Sequence, residues 1–418
     1  MTNMQHIPVL ILGAGITGLS IAHHLEETHT EYLVIEKEDS VGGMIRNVID
    51  DDKIFSTSGH WLHFRNPRNR AFFESRVPLV WKIRDAVVRI NDEDVAYPFQ
   101  LGFTRMKDKK LSTQILTDFK KARQNISFTD MKSTNFEDFL LKRYGRTACE
   151  VFFFPYNRKL YGDLKLLSAT SMGRFFPDVE LQDIQNFANN PAAVGYNAEI
   201  GHPASKRFGD ILNALRYDKN RVLLDTNIYL IDFDARIVKA GDRMIKYDKL
   251  VSTIPLKTLL TISGDISAAQ KLEAASLRVF NVVVSSRVLD GKDWIYFSSP
   301  QFPFFRVGSY SNFFGDEKNT RLYVECPLAV DEYEVRRGLI DARIINSDDD
   351  ILYMRDIQLI DAYNIINSES IRIADVTQKA LANAGVLLAG RYGRWDYLSV
   401  EDCFEEGKKV AAELTNEC

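Results

Sequence analysis

The 418-residue sequence contains only four cysteines, Cys149, Cys326, Cys403 and Cys418, scattered along the chain without a CxxC pair. That scarcity argues against a disulfide framework and a thiolate zinc site, and fits a reducing compartment. Long apolar runs are missing too. Nowhere do about 18 apolar residues follow one another, the length a membrane-spanning helix requires, so none is expected. The apolar stretch from Pro8 to Ala22 could be mistaken for a leader. Gly13, Gly15 and Gly18 interrupt it, no basic segment precedes it, and His23 to Glu27 continues it as a helix. Charge of one sign is also lacking: 53 basic residues face 57 acidic ones, a formal net charge of -4, which excludes nucleic-acid binding through bulk electrostatics. Repeats and low-complexity linkers are absent. What remains is ordinary globular usage, 45% hydrophobic and 26% charged, in a chain long enough for roughly two to three domains. The expectation is a soluble cytoplasmic protein without a metal site.

What the sequence does have begins at residue 9. Val9 to Leu12 is a short apolar run of buried parallel-strand type, and Gly13-Ala14-Gly15-Ile16-Thr17-Gly18 follows it directly. Leu19, Ala22, Leu25 and Glu26 continue as a helix, Tyr32 to Ile35 as a second strand, and Glu36 closes that strand. In such a βαβ unit the first glycine allows a tight turn, the second lets backbone approach a pyrophosphate, and the third lets helix pack on strand. Helix N-terminal amides face the phosphates, and an acid at the next strand end suits a ribose hydroxyl. Glu36-Lys37 leads into a second glycine turn, Gly42-Gly43-Met44, and a late strand, Val386 to Ala389, ends in Gly390-Arg391. That combination is similar to flavoproteins of the amine-oxidase and glutathione-reductase type. It implies FAD and a cofactor domain assembled from both ends of the chain. The stretch Thr226-Asn227-Ile228 resembles the piece beside adenine in such domains.

Between these ends, Leu101 to Arg146 has helical periodicity, with a capping box expected at Thr134 and Glu137 and a stop at Gly145. The basic run Lys107 to Lys121 reads as a solvated helix face. Val222 to Leu224, Ile228 to Ile231, Ile237-Val238 and Met244 to Tyr247 read as hairpin strands, and Lys249 to Pro255 as a separate strand. Val279 to Arg287 and Arg321 to Cys326 are further strands, and a final helix covers Glu405 to Leu414. Three segments are rich in aromatics: Tyr97-Pro98-Phe99-Gln100, Phe152 to Asn157, and Trp294 to Phe297 with Pro303 to Arg306 beyond it. Aromatic pairs of this kind can stack a flat heterocycle while an amide reads its edge.

Together these segments resemble the UDP-galactopyranose mutases, particularly the eukaryotic branch, over nearly the whole chain. The resemblance implies that Tyr97 and Phe152 sandwich uracil, that Gln100 reads its edge, and that Phe99, Asn157, Trp294 and Tyr296 complete the nucleoside pocket. It places Arg174 and Arg306, with Tyr363 and Tyr397, on the diphosphate, where guanidinium forks suit phosphate oxygens. Asn197 falls on a flap, so a mobile lid of about residues 177–203 is expected. His60, in Ser58-Gly59-His60, and Arg391 lie beside the flavin by the same comparison. The family's reaction is a pyranose–furanose interconversion in which N5 of the reduced flavin attacks the anomeric carbon. The resemblance thus implies an intramolecular transferase supplied by a reductant such as NAD(P)H or a flavin reductase, and a homo-oligomer is left open.

Four positions depart from the family's pattern. Phe313, after Asn312, replaces a tyrosine; Tyr161 replaces a tryptophan; Glu401 replaces an asparagine that touches the sugar; and Ser58-Gly59 replaces Gly-Gly. The sugar end therefore differs more than the uridine end. The expected fold class is α/β: a discontinuous Rossmann-like FAD domain (1–80, 203–265, 382–418), a helical domain (101–202), and an antiparallel sheet substrate domain (81–100, 266–381). The alternative is an oxidase or desaturase of the amine-oxidase or protoporphyrinogen-oxidase type, and a third class is a nucleotide-sugar binder that keeps FAD for structure.

Overall fold

A computed structural model describes residues 4–124, 135–169, 176, 178–189, 198–315 and 318–416. They fall into two compact units. The first comprises Met1–Val80, Gly201–Glu273 and Ile366–Cys418; the second comprises Trp81–Ile200 and Ala274–Ile365. The helical segment and the antiparallel sheet thus share one unit, and the helix Ser368–Ala382 goes with the first.

The first unit is built on strand Met4–Leu12, whose Leu10, Ile11 and Leu12 are fully buried. A strand covered on both faces must be apolar along its length, as this one is. It pairs in parallel with Tyr32–Ile35 on one side and with Arg243–Ser252 on the other. Val222–Leu223 extends the sheet in parallel beyond Tyr32–Ile35, and Val386–Leu388 pairs in parallel with the end of Arg243–Ser252. Ile228–Asp232, Ile237–Ala240 and Arg243–Ser252 form an antiparallel meander. Two expectations need correction. Val222 belongs to the parallel sheet instead of a hairpin, and the segments around Met244 and Lys249 are one continuous strand. Helix Ile16–Glu27 packs against helix Val400–Asn416. A Cβ on Gly407 would come within 2.5 Å of the Ser20 Cβ, so glycine is what lets these helices approach. The Ser20 hydroxyl donates to the Phe404 carbonyl at 2.7 Å across that contact.

The second unit centres on an antiparallel sheet in the order Ile351–Asn364, Ala274–Val284, Thr320–Pro327, Arg306–Ser309, Trp294–Phe297, Ala86–Ile90, Glu93–Ala96, with one parallel pairing between Trp294–Phe297 and Ala86–Ile90. One face buries Phe280, Val282, Phe297, Phe304 and Val324 against Val335 and Leu339 of helix Glu332–Asp341. The 14-residue strand Ile351–Asn364 was not anticipated, because polar and apolar residues alternate irregularly along it. Helix Phe136–Tyr144 is capped by Asn135, whose side chain accepts from the Asp138 amide; Thr134, the expected cap, lies outside the described residues. Arg146–Ala148, a wider π-type turn Cys149–Phe153 and helix Phe154–Tyr161 run on as one rod carrying the aromatic cluster.

Candidate cofactor and nucleotide sites

In the first unit three distant stretches converge. Gly13 adopts φ +97°, and a Cβ on Gly18 would lie 2.0 Å from the Gly13 carbonyl oxygen, so both glycines are required by the turn itself. Gly15 is different. It has φ -73°, and a Cβ there meets no described atom within 4 Å. Helix Ile16–Glu27 starts at this open side, where its first amides lack intrahelical partners. The second glycine turn sits directly on the first: the Gly42 amide donates to the Ala14 carbonyl at 2.9 Å, and Gly15 and Gly42 form a bridge. Gly42 and Gly43 have φ +117° and +53°. Gly390 arrives from the C-terminal strand; a Cβ on it would lie 2.6 Å from the Thr17 hydroxyl oxygen.

Glu36 is buried, and its carboxylate accepts from the amides of Ala14 (2.8 Å) and Glu38 (3.0 Å), so part of its hydrogen-bonding capacity shapes the turn. The Thr226 amide donates to the Glu36 carbonyl at 2.9 Å, which brings Thr226 alongside the acid. Lys37 projects into solvent and pairs with Glu38 at 3.4 Å. Thr57 donates to the Met44 carbonyl, tying the Ser58-Gly59-His60 loop to the second glycine turn. His60 stacks on Phe208 with ring centroids 5.4 Å apart and bonds through Nδ1 to the Ser56 hydroxyl. Arg391 lays its guanidinium over the Tyr397 ring at 3.9 Å and donates to the Leu398 carbonyl. An open glycine at a helix N-terminus, a buried acid, and a second glycine turn fit a dinucleotide pyrophosphate. Glu401 has another task. Its buried carboxylate accepts from the amides of Arg65 and Asn66 and from the Asn69 side chain, so it organises a loop of its own unit.

In the second unit the aromatic segments do come together. Tyr97 and Tyr296 have centroids 4.9 Å apart, Tyr156 meets the edge of Tyr296 at 5.3 Å, and Phe152 stacks on Tyr156 at 5.3 Å. Burial first, and then the neighbouring Tyr296, hold the Tyr97 phenol well above its usual pKa. Tyr97 also lines a cavity of about 520 Å³ with Arg84, Arg105, Lys292 and Phe187. The Arg84 guanidinium lies 4.6 Å from the Tyr97 ring centre. Trp294 flanks Tyr296, and Tyr161 and Tyr363 meet edge to face at 5.9 Å. Gln100 is buried beside Phe99.

Not every expected residue faces a ligand space. Phe99 is fully buried among Phe103, Phe152 and Phe153 and serves as core. The Asn157 amide donates to the Phe153 carbonyl at 2.7 Å, and the Asn312 amide to the carbonyls of Val288 and Lys292. Arg174 and Asn197 lie outside the described residues, as do residues 177 and 190–197 of the expected lid; the rest of that stretch carries helix Leu181–Asn189 and strand Glu199–Pro203. Arg306 is held at 2.5 Å by each oxygen of Glu325, a fully buried carboxylate that the sequence reading missed. Burial works against the Arg306 charge, but Glu325, Tyr323 and Tyr296 together outweigh it and keep the pKa well above normal. An acid within the otherwise apolar stretch Leu322 to Cys326 is the signal that could have revealed it. The aspartates Asp348–Asp350 form a turn in which the Asp350 carboxylate accepts from the amides of Asn346 and Ser347.

These features define an α/β protein with a Rossmann-like dinucleotide-binding unit and a second unit presenting an aromatic and cationic wall. Residues 11–75 match the NAD(P)-binding Rossmann-like domain family. The chain is also similar to UDP-galactopyranose mutases. It is 23% identical to the enzyme of Mycoplasma pneumoniae over 248 residues, which is 53% of this chain and 59% of that protein. A crystal structure of reduced UDP-galactopyranose mutase superposes with TM-score 0.90 at 20% identity, covering 99% of this chain and 96% of the other. A chain from Exiguobacterium sp. 255-15 whose name places it with the protoporphyrinogen oxidases superposes with TM-score 0.74 at 13% identity over the full length of both. The α/β fold expected from the motifs is thus met, and the similarity to UDP-galactopyranose mutases agrees with the resemblance read from them. No described helix is long and apolar enough to cross a membrane.

Proposed function

We propose that the chain is an FAD-dependent mutase that interconverts the pyranose and furanose forms of a UDP-hexose. The observation that carries this reading is the pairing of Tyr296 with Arg306 on adjacent strands, in register, with Tyr97 against Tyr296. A flat base needs a π face and a diphosphate needs a guanidinium; the register of neighbouring strands, whose backbones lie about 4.8 Å apart, puts the two residues side by side. An amine or polyene substrate would use the aromatic wall but has no use for a buried guanidinium. The named mutases among the similar proteins support the same reading.

The FAD pyrophosphate would lie on the open side of Gly15, with Glu36 toward the ribose and Thr226 to Ile228 toward adenine; His60, Gly390 and Arg391 would attend the flavin. When reduced, the flavin would supply N5 as a nucleophile toward the anomeric carbon. Within the second unit, Arg306 would neutralise the departing diphosphate, with Tyr363 as a further hydrogen-bond donor. Glu325 would hold the Arg306 fork in place beforehand, so that little reorganisation is needed when negative charge develops.

The test is to incubate dithionite-reduced protein with a panel of UDP-sugars and separate the ring forms by chromatography. A new ring form that appears only after reduction, without stoichiometric use of reductant, is the expected result. UDP that raises the melting temperature without any ring change would favour a nucleotide-sugar binder. Flavin reduction by an amine or porphyrinogen, with no UDP response, would favour the oxidase reading.

A further inference from the structure

The rod that carries Phe152 and Tyr156 also carries Lys159, a residue outside every motif discussed above. Its Nζ lies 3.1 Å from the carbonyl oxygen of Phe297, 2.6 Å from that of Ser299, and 3.0 Å from those of Phe302 and Phe304. An ammonium carries three protons and accepts nothing, so four converging carbonyls are the surroundings of a cation. Burial draws the Lys159 pKa down to about 7, and the carbonyl dipoles oppose that by favouring the charged form.

All four carbonyls belong to one loop. It leaves the strand bearing Tyr296, is closed at its base by the Phe297 amide donating to the Phe305 carbonyl at 2.9 Å, and re-enters the sheet at Arg306. Phe297, Phe302 and Phe304 are buried in the sheet core, so the loop turns its rings inward and its carbonyls toward Lys159. The Ser298 hydroxyl donates to the Val151 carbonyl at 3.1 Å, a second tie between loop and rod.

We propose that Lys159 is a positioning residue for the diphosphate site: by gathering these four carbonyls it fixes the point at which Arg306 leaves the loop, relative to Phe152 and Tyr156. Glu325 orients the guanidinium, whereas Lys159 locks the backbone from which it grows. Without the ammonium the carbonyls must find water, the loop shifts, and the guanidinium moves relative to Phe152 and Tyr156. Displacements on the order of 1 Å are enough to lose such contacts. The proposal rests on the reading that Arg306 meets a diphosphate.

The experiment compares UDP and uridine binding by calorimetry for the flavin-loaded wild type, Lys159→Met, Arg306→Ala and the double variant. The expected result is that Lys159→Met weakens UDP about tenfold or more, leaves uridine within about twofold, and adds less than about twofold on the Arg306→Ala background. Wild-type UDP affinity in Lys159→Met would overturn the proposal. So would equal weakening of UDP and uridine, or an undiminished loss on top of Arg306→Ala, which a merely structural role would give. Lys159→Gln keeps two N–H donors, and should Lys159→Met not fold it carries the same comparisons. A wild type indifferent to UDP, or an Arg306→Ala variant that binds UDP normally, would instead sink the underlying reading.

Discussion

Replacing Gly15 by valine should separate the cofactor's requirements from the fold's. Gly15 has φ -73°, which any L residue adopts, and its Cβ direction is open among the described residues. Valine there costs the chain only a poor helix N-cap, about 1 kcal/mol, or a melting shift of about 2–4 °C for a unit of this size. The cost to a bound pyrophosphate is larger. The isopropyl group would occupy the space the phosphates need and deny them the helix amides, and hydrogen bonds to charged groups contribute about 1.5–3 kcal/mol each. Losing two is about 3–6 kcal/mol, so flavin affinity should fall by more than about 100-fold. Gly18→Ala is the control with the opposite logic. Its Cβ would meet the Gly13 carbonyl oxygen at 2.0 Å, and overpacking against backbone should cost the fold about 1–3 kcal/mol or more. The assay is the flavin-to-protein absorbance ratio after purification, with FAD titration of the apoprotein and thermal denaturation of each variant. A Gly15→Val protein that is stable and still carries stoichiometric flavin would show that the pyrophosphate lies elsewhere.

Tyr97→Ala should weaken UDP by about 1–3 kcal/mol, the size of a base–aromatic stack; unchanged affinity would remove Tyr97 from the nucleoside pocket. Arg306→Met should destabilise the second unit by about 3–5 kcal/mol, because it takes the paired guanidinium away from the buried Glu325 carboxylate. Adding Glu325→Leu should restore most of that stability but no UDP binding; recovery of binding would mean that Arg306 serves structure alone. Glu401→Ala should lower stability by about 1–3 kcal/mol through the loop donors it leaves unmatched, and calorimetric UDP affinity should stay unchanged. A loss of UDP affinity in a Glu401→Ala protein that melts like the wild type would return that carboxylate to the substrate.

The parts legible in advance were those fixed by local chemistry. Three glycines after an apolar strand could be read directly, because only glycine tolerates the Gly13 conformation and the Gly18 approach. Short buried strands such as Tyr32–Ile35 announced themselves for the same kind of reason, since a strand covered on both faces has little choice but apolar residues. The aromatic motifs also identified themselves, and the fold assembled Tyr97, Tyr156 and Tyr296. What those motifs touch was decided elsewhere. Phe99 and Phe152 were both read as pocket residues, yet both are buried among other rings, Phe99 against Phe103, Phe152 and Phe153, and Phe152 against Phe99, Phe153 and Tyr156. Glu401 stood where a sugar contact was expected, and a loop more than 300 residues away took up its carboxylate. Glu325 and Lys159 had no local signature tying them to Arg306, since cross-strand register and a converging loop put them there. Sequence alone determined which backbone turns and buried strands were possible, because those constraints act within a few residues. Only the tertiary structure decided which buried charges meet, because desolvating a carboxylate or an ammonium is tolerable only where partners arrive from distant parts of the chain.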